Sequence, residues 1–259
     1  MQTVLFHSTI FGPIHSRRLG SSLGVNLMPD DGKVCTFDCL YCEAGYNAQG
    51  AGTTGLPTRA EVAHDLEAKL RQLKEEGSPL NVITFSGNGE PTLHPDFAGI
   101  IRDTIVLRDR YFPEVKISVL SNATMIHKPD VVEALKLVDN NIQKLDSALD
   151  DTVRLIDRPT QAFYSVRRVI DQLKQFDGHV IVQTMMLRGS HDGVAVDNTT
   201  PDEVEALIKA YEEVRPQEVM LYSIDRKTPE ERLVKVPKED LERIADEICS
   251  HGIKVQVTA

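Results

Sequence analysis

Cys35, Cys39 and Cys42 stand in the run Cys35-Thr-Phe-Asp-Cys-Leu-Tyr-Cys42, a CxxxCxxC triplet. Cysteine thiolates at such short spacings in a loop are the ligand pattern of iron-sulfur clusters. Three thiolates serve three irons of a four-iron cubane and leave the fourth without a protein ligand. An open coordination position on a metal is where catalytic sites take up and activate a molecule from solution, so the triplet points to chemistry rather than to electron storage alone. A zinc site is the competing reading, with His15, His7 or Asp38 completing a tetrahedral shell, but zinc ribbons usually pair two CxxC units. The remaining cysteine, Cys249, follows Leu241, Ile244, Ala245 and Ile248, which recur with helical period, and reads as a small buried hydrophobe. Asp38 is a poor iron ligand in so thiolate-rich a site, and Phe37 reads as a shield that keeps the cluster dry.

Other segments carry a resemblance. Gly12-Pro-Ile-His-Ser-Arg-Arg-Leu-Gly20, Ser22-Leu-Gly-Val-Asn-Leu27, the stretch from Lys33 to Gly45 and Gly87-Asn-Gly-Glu-Pro91 together resemble the radical S-adenosylmethionine superfamily. Within it they are similar to the iron-sulfur oxidoreductases grouped with the wyosine tRNA synthases. The resemblance implies one four-iron four-sulfur cluster on Cys35, Cys39 and Cys42, with S-adenosyl-L-methionine bound at the open iron. It also implies a 5′-deoxyadenosyl radical that abstracts hydrogen from a substrate, and a one-electron donor such as flavodoxin or ferredoxin. Glu90 would receive the cofactor's amino group, Gly87 and Gly89 would let backbone pass close to it, and Tyr41 would lie beside the adenine. Ser121, Asn122, Asp146, Gln183 and Tyr222 fall at or near strand ends and complete the expected cofactor set. No residue is assigned to the hydrogen transfer itself.

The wyosine synthases carry extra amino-terminal cysteines, and no cysteine precedes Cys35. Pyruvate-dependent wyosine chemistry is therefore not expected, and the substrate stays open among a small anionic molecule, tRNA and a partner protein. Two further classes stay open with it: a glycyl-radical-type activase of a partner protein, and a non-catalytic iron-sulfur interaction or electron-transfer module.

Charge narrows the partners. The chain has 259 residues and a formal net charge of -10. Asp30, Asp31 and Asp38 balance Arg17, Arg18 and Lys33 in the first segment, so the acidic surplus lies beyond it. That is not the basic footprint of a general nucleic-acid binder. Arg17, Arg18 and Lys33 nevertheless read as a basic entrance for an anionic substrate. No apolar run approaches the roughly 20 residues of a membrane helix, and the cysteine usage suits a reducing cytoplasm.

The elements that must position these residues follow a strand-then-helix rhythm. Strands are expected at 23–28, 79–85, 115–120, 141–145, 180–186 and 218–224, with a last one at 253–257. Helices are expected at 58–73, 95–110, 130–137, 161–176, 201–214 and 238–250. Thr58 with Glu61 forms a capping box, and Thr200-Pro-Asp-Glu203 places a cap, a first-position proline and an acidic first turn. Residues 45–57 lack periodicity and read as a mobile loop. The cluster-binding loop spans 29–45 in a single domain over 1–259. Apolar, β-branched strands with helices between them require parallel pairing under helical cover. The expected fold is α/β, a partial (β/α)6 TIM-like barrel of the radical S-adenosylmethionine type with an additional C-terminal strand. A doubly wound open sheet is the physical alternative.

Overall fold

In the computed structural model, residues 4–16 and 18–258 are described. Arg17 lies outside them. Strand β2 (Gly20–Val25) opens a parallel series that continues through β3 (Val82–Phe85), β4 (Lys116–Ser121), β5 (Asn140–Lys144), β6 (Ile181–His191), β8 (Glu218–Ser223) and β10 (Val255–Thr258). Every neighbouring pair in that series is parallel. Among the described residues β10 pairs only with β8, so the barrel stays open. The expected partial barrel and its extra C-terminal strand are both present.

Helices α1 (Arg59–Glu75), α2 (Phe97–Tyr111), α3 (Pro129–Leu135), α5 (Val166–Leu173), α6 (Pro201–Val214) and α7 (Lys238–Ser250) form the outer layer. Their apolar stripes explain why. In α1, Val62, Leu66, Leu70 and Leu73 are buried, each worth about 1.5–3 kcal/mol of apolar transfer. Thr58 accepts from the Glu61 amide while the Glu61 carboxylate answers the Thr58 amide, so the capping box forms as expected. In α6, Thr200 caps and Pro201 takes the first position. Cys249 departs from expectation. It is exposed, because the buried stripe of α7 is Leu241, Ile244, Ala245 and Ile248 and the next residue turns off that face.

Four elements were not expected. Strand β1 (Ile10–Ser16) pairs antiparallel with β2, and β7 (Val194–Asp197) and β9 (Leu233–Lys235) pair antiparallel with the long outer half of β6. Helix α4 (Asp150–Ile156) fills what sequence reading left as loop. Residues 45–57 are tied rather than free, since Asp31 accepts from the backbone and hydroxyls of Thr53 and Thr54.

Alternation along each strand separates two faces. Leu23, Val25, Ile83, Phe85, Ile117, Val119, Val182, Val219 and Leu221 join the main core with the helices. The opposite face lines the lumen. Ile142, Ile181 and Met220 form a separate apolar cluster there, joined by Leu19 and Leu120. Leu19 belongs to the β1–β2 turn, which therefore closes the lumen at the amino ends of the strands.

Candidate functional site

The loop carrying the cysteines leaves the carboxyl end of β2, where the loops of β/α barrels gather their sites. Cys35 and Cys42 are half-buried and Cys39 is buried. Backbone ties fix the loop from three sides. Val34 bridges Gly89, with the Val34 amide donating to the Asn88 carbonyl and the Glu90 amide to the Val34 carbonyl. The Asp38 and Leu40 amides donate to the carbonyls of Asp157 and Ile156 at the end of α4. The Thr160 amide donates to the Thr36 carbonyl. Helix α4, unforeseen in the sequence, is thus the shelf on which the cysteine loop rests.

The glycines of the Gly87-Asn-Gly-Glu90 turn serve this docking. A Cβ on Gly89 would stand 1.8 Å from the Val34 carbonyl oxygen, and one on Gly87 2.5 Å from the Asn26 side-chain oxygen. Their φ values of 148° and 139° are also ones that favour glycine. The close approach they permit is first of all to the chain itself, to the Val34 backbone at Gly89 and to the Asn26 side chain at Gly87.

Glu90 is 2% exposed. One carboxylate oxygen accepts from the amide and the hydroxyl of Thr92, at 3.0 and 2.5 Å, and the other from the Asn122 amide at 2.6 Å. Burial raises its pKa, and the bonds from Thr92, Asn122 and Ser121 oppose that. Neighbours thus hold the carboxylate from both sides. Asn122 in turn reaches the cluster loop: its Nδ2 donates to Cys35 Sγ at 3.5 Å and to the Thr36 hydroxyl at 2.9 Å. The Phe37 amide also points at Cys35 Sγ, at 3.4 Å. Ser121 bonds the Glu90 carboxylate and also accepts from the Ala123 amide.

The donor set fits a cluster. Three sulfurs share one loop, and two N–H groups are aimed at Cys35 Sγ, the kind of hydrogen bonding that tunes a cluster. Burial pushes the Cys35 thiol up to about 12, with Glu90 adding to the rise, and lifts Cys39 well above its ordinary range. Ligation here must therefore expel protons from both. Among the described residues no group of three or more His, Cys, Asp or Glu side chains is gathered tightly enough to hold a single metal ion.

Beneath the cysteines lies a network that sequence reading did not assemble. Lys144 Nζ stands 2.7 Å from Asp146 Oδ2 and 3.4 Å from Asp157 Oδ1, and 4.4 Å from the centre of the Tyr41 ring. The Tyr41 hydroxyl donates to Asp146, whose other oxygen accepts from the Met185 amide at 2.9 Å. Tyr41 therefore commits its side chain to the lumen. Burial raises the pKa of Asp157, helped by the Asp146 charge and opposed by Lys144. Lys144 is held protonated, the two carboxylates outweighing its burial.

The basic entrance is not built as expected. Lys33 is buried, donating to the Gly45 carbonyl at 2.8 Å and standing 3.8 Å from Asp38. It fastens the loop from within. Arg18 sits on the β1–β2 turn at the far end of the barrel from the cysteines. Its guanidinium enters the lumen, 4.6 Å from the centre of the Tyr222 ring and against the Gln183 side-chain amide. Gln183 and Tyr222 thus meet Arg18 deep in the lumen rather than at the rim.

The sequence profile of the radical SAM superfamily matches residues 31–193. A UPF0026 protein of Synechocystis is 30% identical over 230 residues, which cover 86% of this chain and 78% of that protein. A protein of Brachyspira hyodysenteriae named GTPase Obg is 26% identical over 242 residues, 90% of this chain. The chain spans only 32% of that relative's length, and 58% of a Helicobacter pylori UPF0026 protein. Among solved structures, a radical SAM methyltransferase from Sphaerobacter thermophilus superposes with a TM-score of 0.65 at 18% identity, covering 92% of this chain and 65% of that one. A TYW1 structure with a lysine-pyruvate adduct gives 0.63 at 14% identity, covering 90% and 75%. These last likenesses concern the fold.

Proposed function

The chain belongs to the radical SAM superfamily, and from that premise we propose that it is an enzyme with one four-iron four-sulfur cluster on Cys35, Cys39 and Cys42 and S-adenosyl-L-methionine beside it. The observation that carries the reading is the docking of the cysteine loop onto the turns after β3 and β4, through Val34 with Gly89 and through Asn122 with Cys35. When bound, the pair would supply reductive cleavage of the cofactor to a 5′-deoxyadenosyl radical. The protein's part is to position and to exclude water.

Glu90 offers its buried carboxylate to the cofactor's ammonium group while its bonds to Thr92 and Asn122 hold it still. Asn122 and the Phe37 amide hold Cys35 Sγ in place. Phe37 packs edge-on against Tyr164, with ring centres 5.5 Å apart, and keeps solvent from the loop. The lumen below, walled by Tyr41, Lys144, Asp146, Met185 and Tyr222, is where the substrate's reacting carbon belongs. A reduced electron carrier of the flavodoxin or ferredoxin class would supply the electron. Whether the substrate is a small molecule, an RNA base or a peptide segment, it must enter by this mouth.

Anaerobic reconstitution is expected to load about four irons and four sulfides per chain, and dithionite with S-adenosylmethionine to release 5′-deoxyadenosine. Serine at Cys35, Cys39 or Cys42 should abolish cleavage, because a hydroxyl replaces a soft thiolate poorly, while Cys249→Ala keeps the cluster. A stoichiometric zinc content without iron-dependent cleavage would overturn the proposal.

A further inference from the structure

Arg18 borders two cavities. One, of about 720 Å³ at the amino ends of the strands, is also lined by Leu19, Ile181 and Met220. The other, of about 90 Å³ below the barrel mouth, is lined by Tyr41, Met185 and Tyr222, and by Glu43 and Asp225, which pair with Arg226 and Lys235. The side chain therefore rises from the floor turn to the upper lumen. Lys33 and Lys144, two other cations of this region, each have a carboxylate within 4 Å: Asp38 at 3.8 Å and Asp146 at 2.7 Å. For Arg18 no acidic side chain among the described residues forms an ion pair, although the chain carries 39 Asp and Glu against 29 Lys and Arg. Its partners are neutral, the face of Tyr222 and the amide of Gln183.

A guanidinium has five N–H donors in a planar fork, and one amide oxygen satisfies only part of them. A partly buried guanidinium with no carboxylate paired to it can take up an incoming anion. The fork matches a carboxylate or a phosphate in bidentate geometry. We propose that Arg18, backed by Tyr222 and Gln183, is the seat for a terminal oxyanion of the substrate, a carboxylate or a phosphate group. The upper cavity has room for one such group, so the rest of the substrate lies above it, toward the cysteine loop. Specificity thus comes from the floor of the barrel, from a residue outside the cluster motif. The inference rests on the enzyme reading above and names the chemistry of its substrate.

Bare anions test it without knowledge of the substrate. Equilibrium dialysis of labelled inorganic phosphate against the reconstituted protein at low salt, with acetate and its neutral isostere acetamide as competitors, reads the seat directly. One saturable site is expected, displaced by acetate and not by acetamide, and the tighter of the two anions identifies the source group. Arg18→Gln should weaken binding at least about tenfold, with Arg18→Lys between it and the native protein. Gln183→Glu is the second variant, for the case that Arg18→Gln does not fold: it sets a carboxylate beside the guanidinium, occupies the seat from within and should abolish anion uptake. Absence of saturable uptake in the native protein, equal uptake in the folded variants, or displacement by acetamide as good as by acetate would each overturn the proposal. Failure of the native protein to release 5′-deoxyadenosine would instead overturn the enzyme reading, so the two failures are distinct.

Discussion

Glu90 has two tasks that a single substitution will expose together. Its carboxylate satisfies the Thr92 and Asn122 amides, and each buried donor left unpaired costs about 1–3 kcal/mol. Glu90→Ala is expected to lower the unfolding free energy by at least that amount in denaturant titrations, and to weaken S-adenosylmethionine about tenfold or more in anaerobic calorimetry. Unchanged cofactor affinity alongside lost stability would leave Glu90 as a loop anchor only. Asp157 gives a pH test on the cluster-free chain. Its folded pKa is raised from 3.8 by burial and by Asp146, so the folded state holds a proton that the unfolded state has released. Stability should therefore fall as the pH climbs above 3.8 toward neutrality. Asp157→Asn mimics the protonated carboxyl and should flatten a melting-temperature profile in that range; an unaltered slope would refute this. Spacing alone marked the cysteines, because it is itself the chemistry, whereas Glu90 was marked by the resemblance of its turn to the superfamily. Neither revealed that Lys33 turns inward to Gly45 and Asp38, or that Arg18 threads the lumen, since side-chain direction there is set by contacts between segments far apart in sequence.

At the scale of elements, the clip between Val34 and Gly89 is the joint most exposed to a single methyl group. Gly89→Ala would force a Cβ against the Val34 carbonyl at a φ of 148°. It should part the cysteine loop from the turn after β3 while the outer helices persist. The expected result is a chain with near-native far-ultraviolet dichroism that retains little iron after reconstitution. Full iron loading would show that the loop docks without the clip. Helices α1 and α6 were legible because each states its start in residue types, Thr58 with Glu61 and Thr200 with Pro201, and then carries a regular apolar stripe. Strand β1 was not, since Gly12 and Pro13 interrupt it and read as breakers. Strand β9 has three residues and α4 seven, too few for either period to show. All three are held by tertiary partners rather than by local preference: β1 by β2, β9 by β6, and α4 by the cysteine loop and by Glu203, which accepts from Thr152 and Ser147.

For the molecule as a whole, an open barrel must admit a substrate and still keep its lumen dry, and residues 224–232 are placed to reconcile the two. They follow β8 and cross toward the cysteine loop. The Glu230 amide donates to the Leu40 carbonyl at 3.1 Å, Arg226 meets Glu43 at 2.5 Å, and Glu230 meets His191 at 2.7 Å. Ile224 and Thr228 line the cavity that Arg18 borders from below. The strap is thus tied to the cluster loop on one side and to the β6 extension on the other. Both partners of the Arg226–Glu43 pair are largely exposed, so removing it should change global stability by no more than about 1 kcal/mol. Its effect should instead be local, because segments with few buried contacts open on their own. Glu43→Ala is expected to speed tryptic cleavage after Arg226 and Lys227 severalfold while the denaturation midpoint stays nearly fixed. Cleavage at the native rate would mean that Glu230 alone holds the strap. Cleavage faster in step with a lowered midpoint would mean that the segment belongs to the global fold, and that entry to the lumen is not gated there.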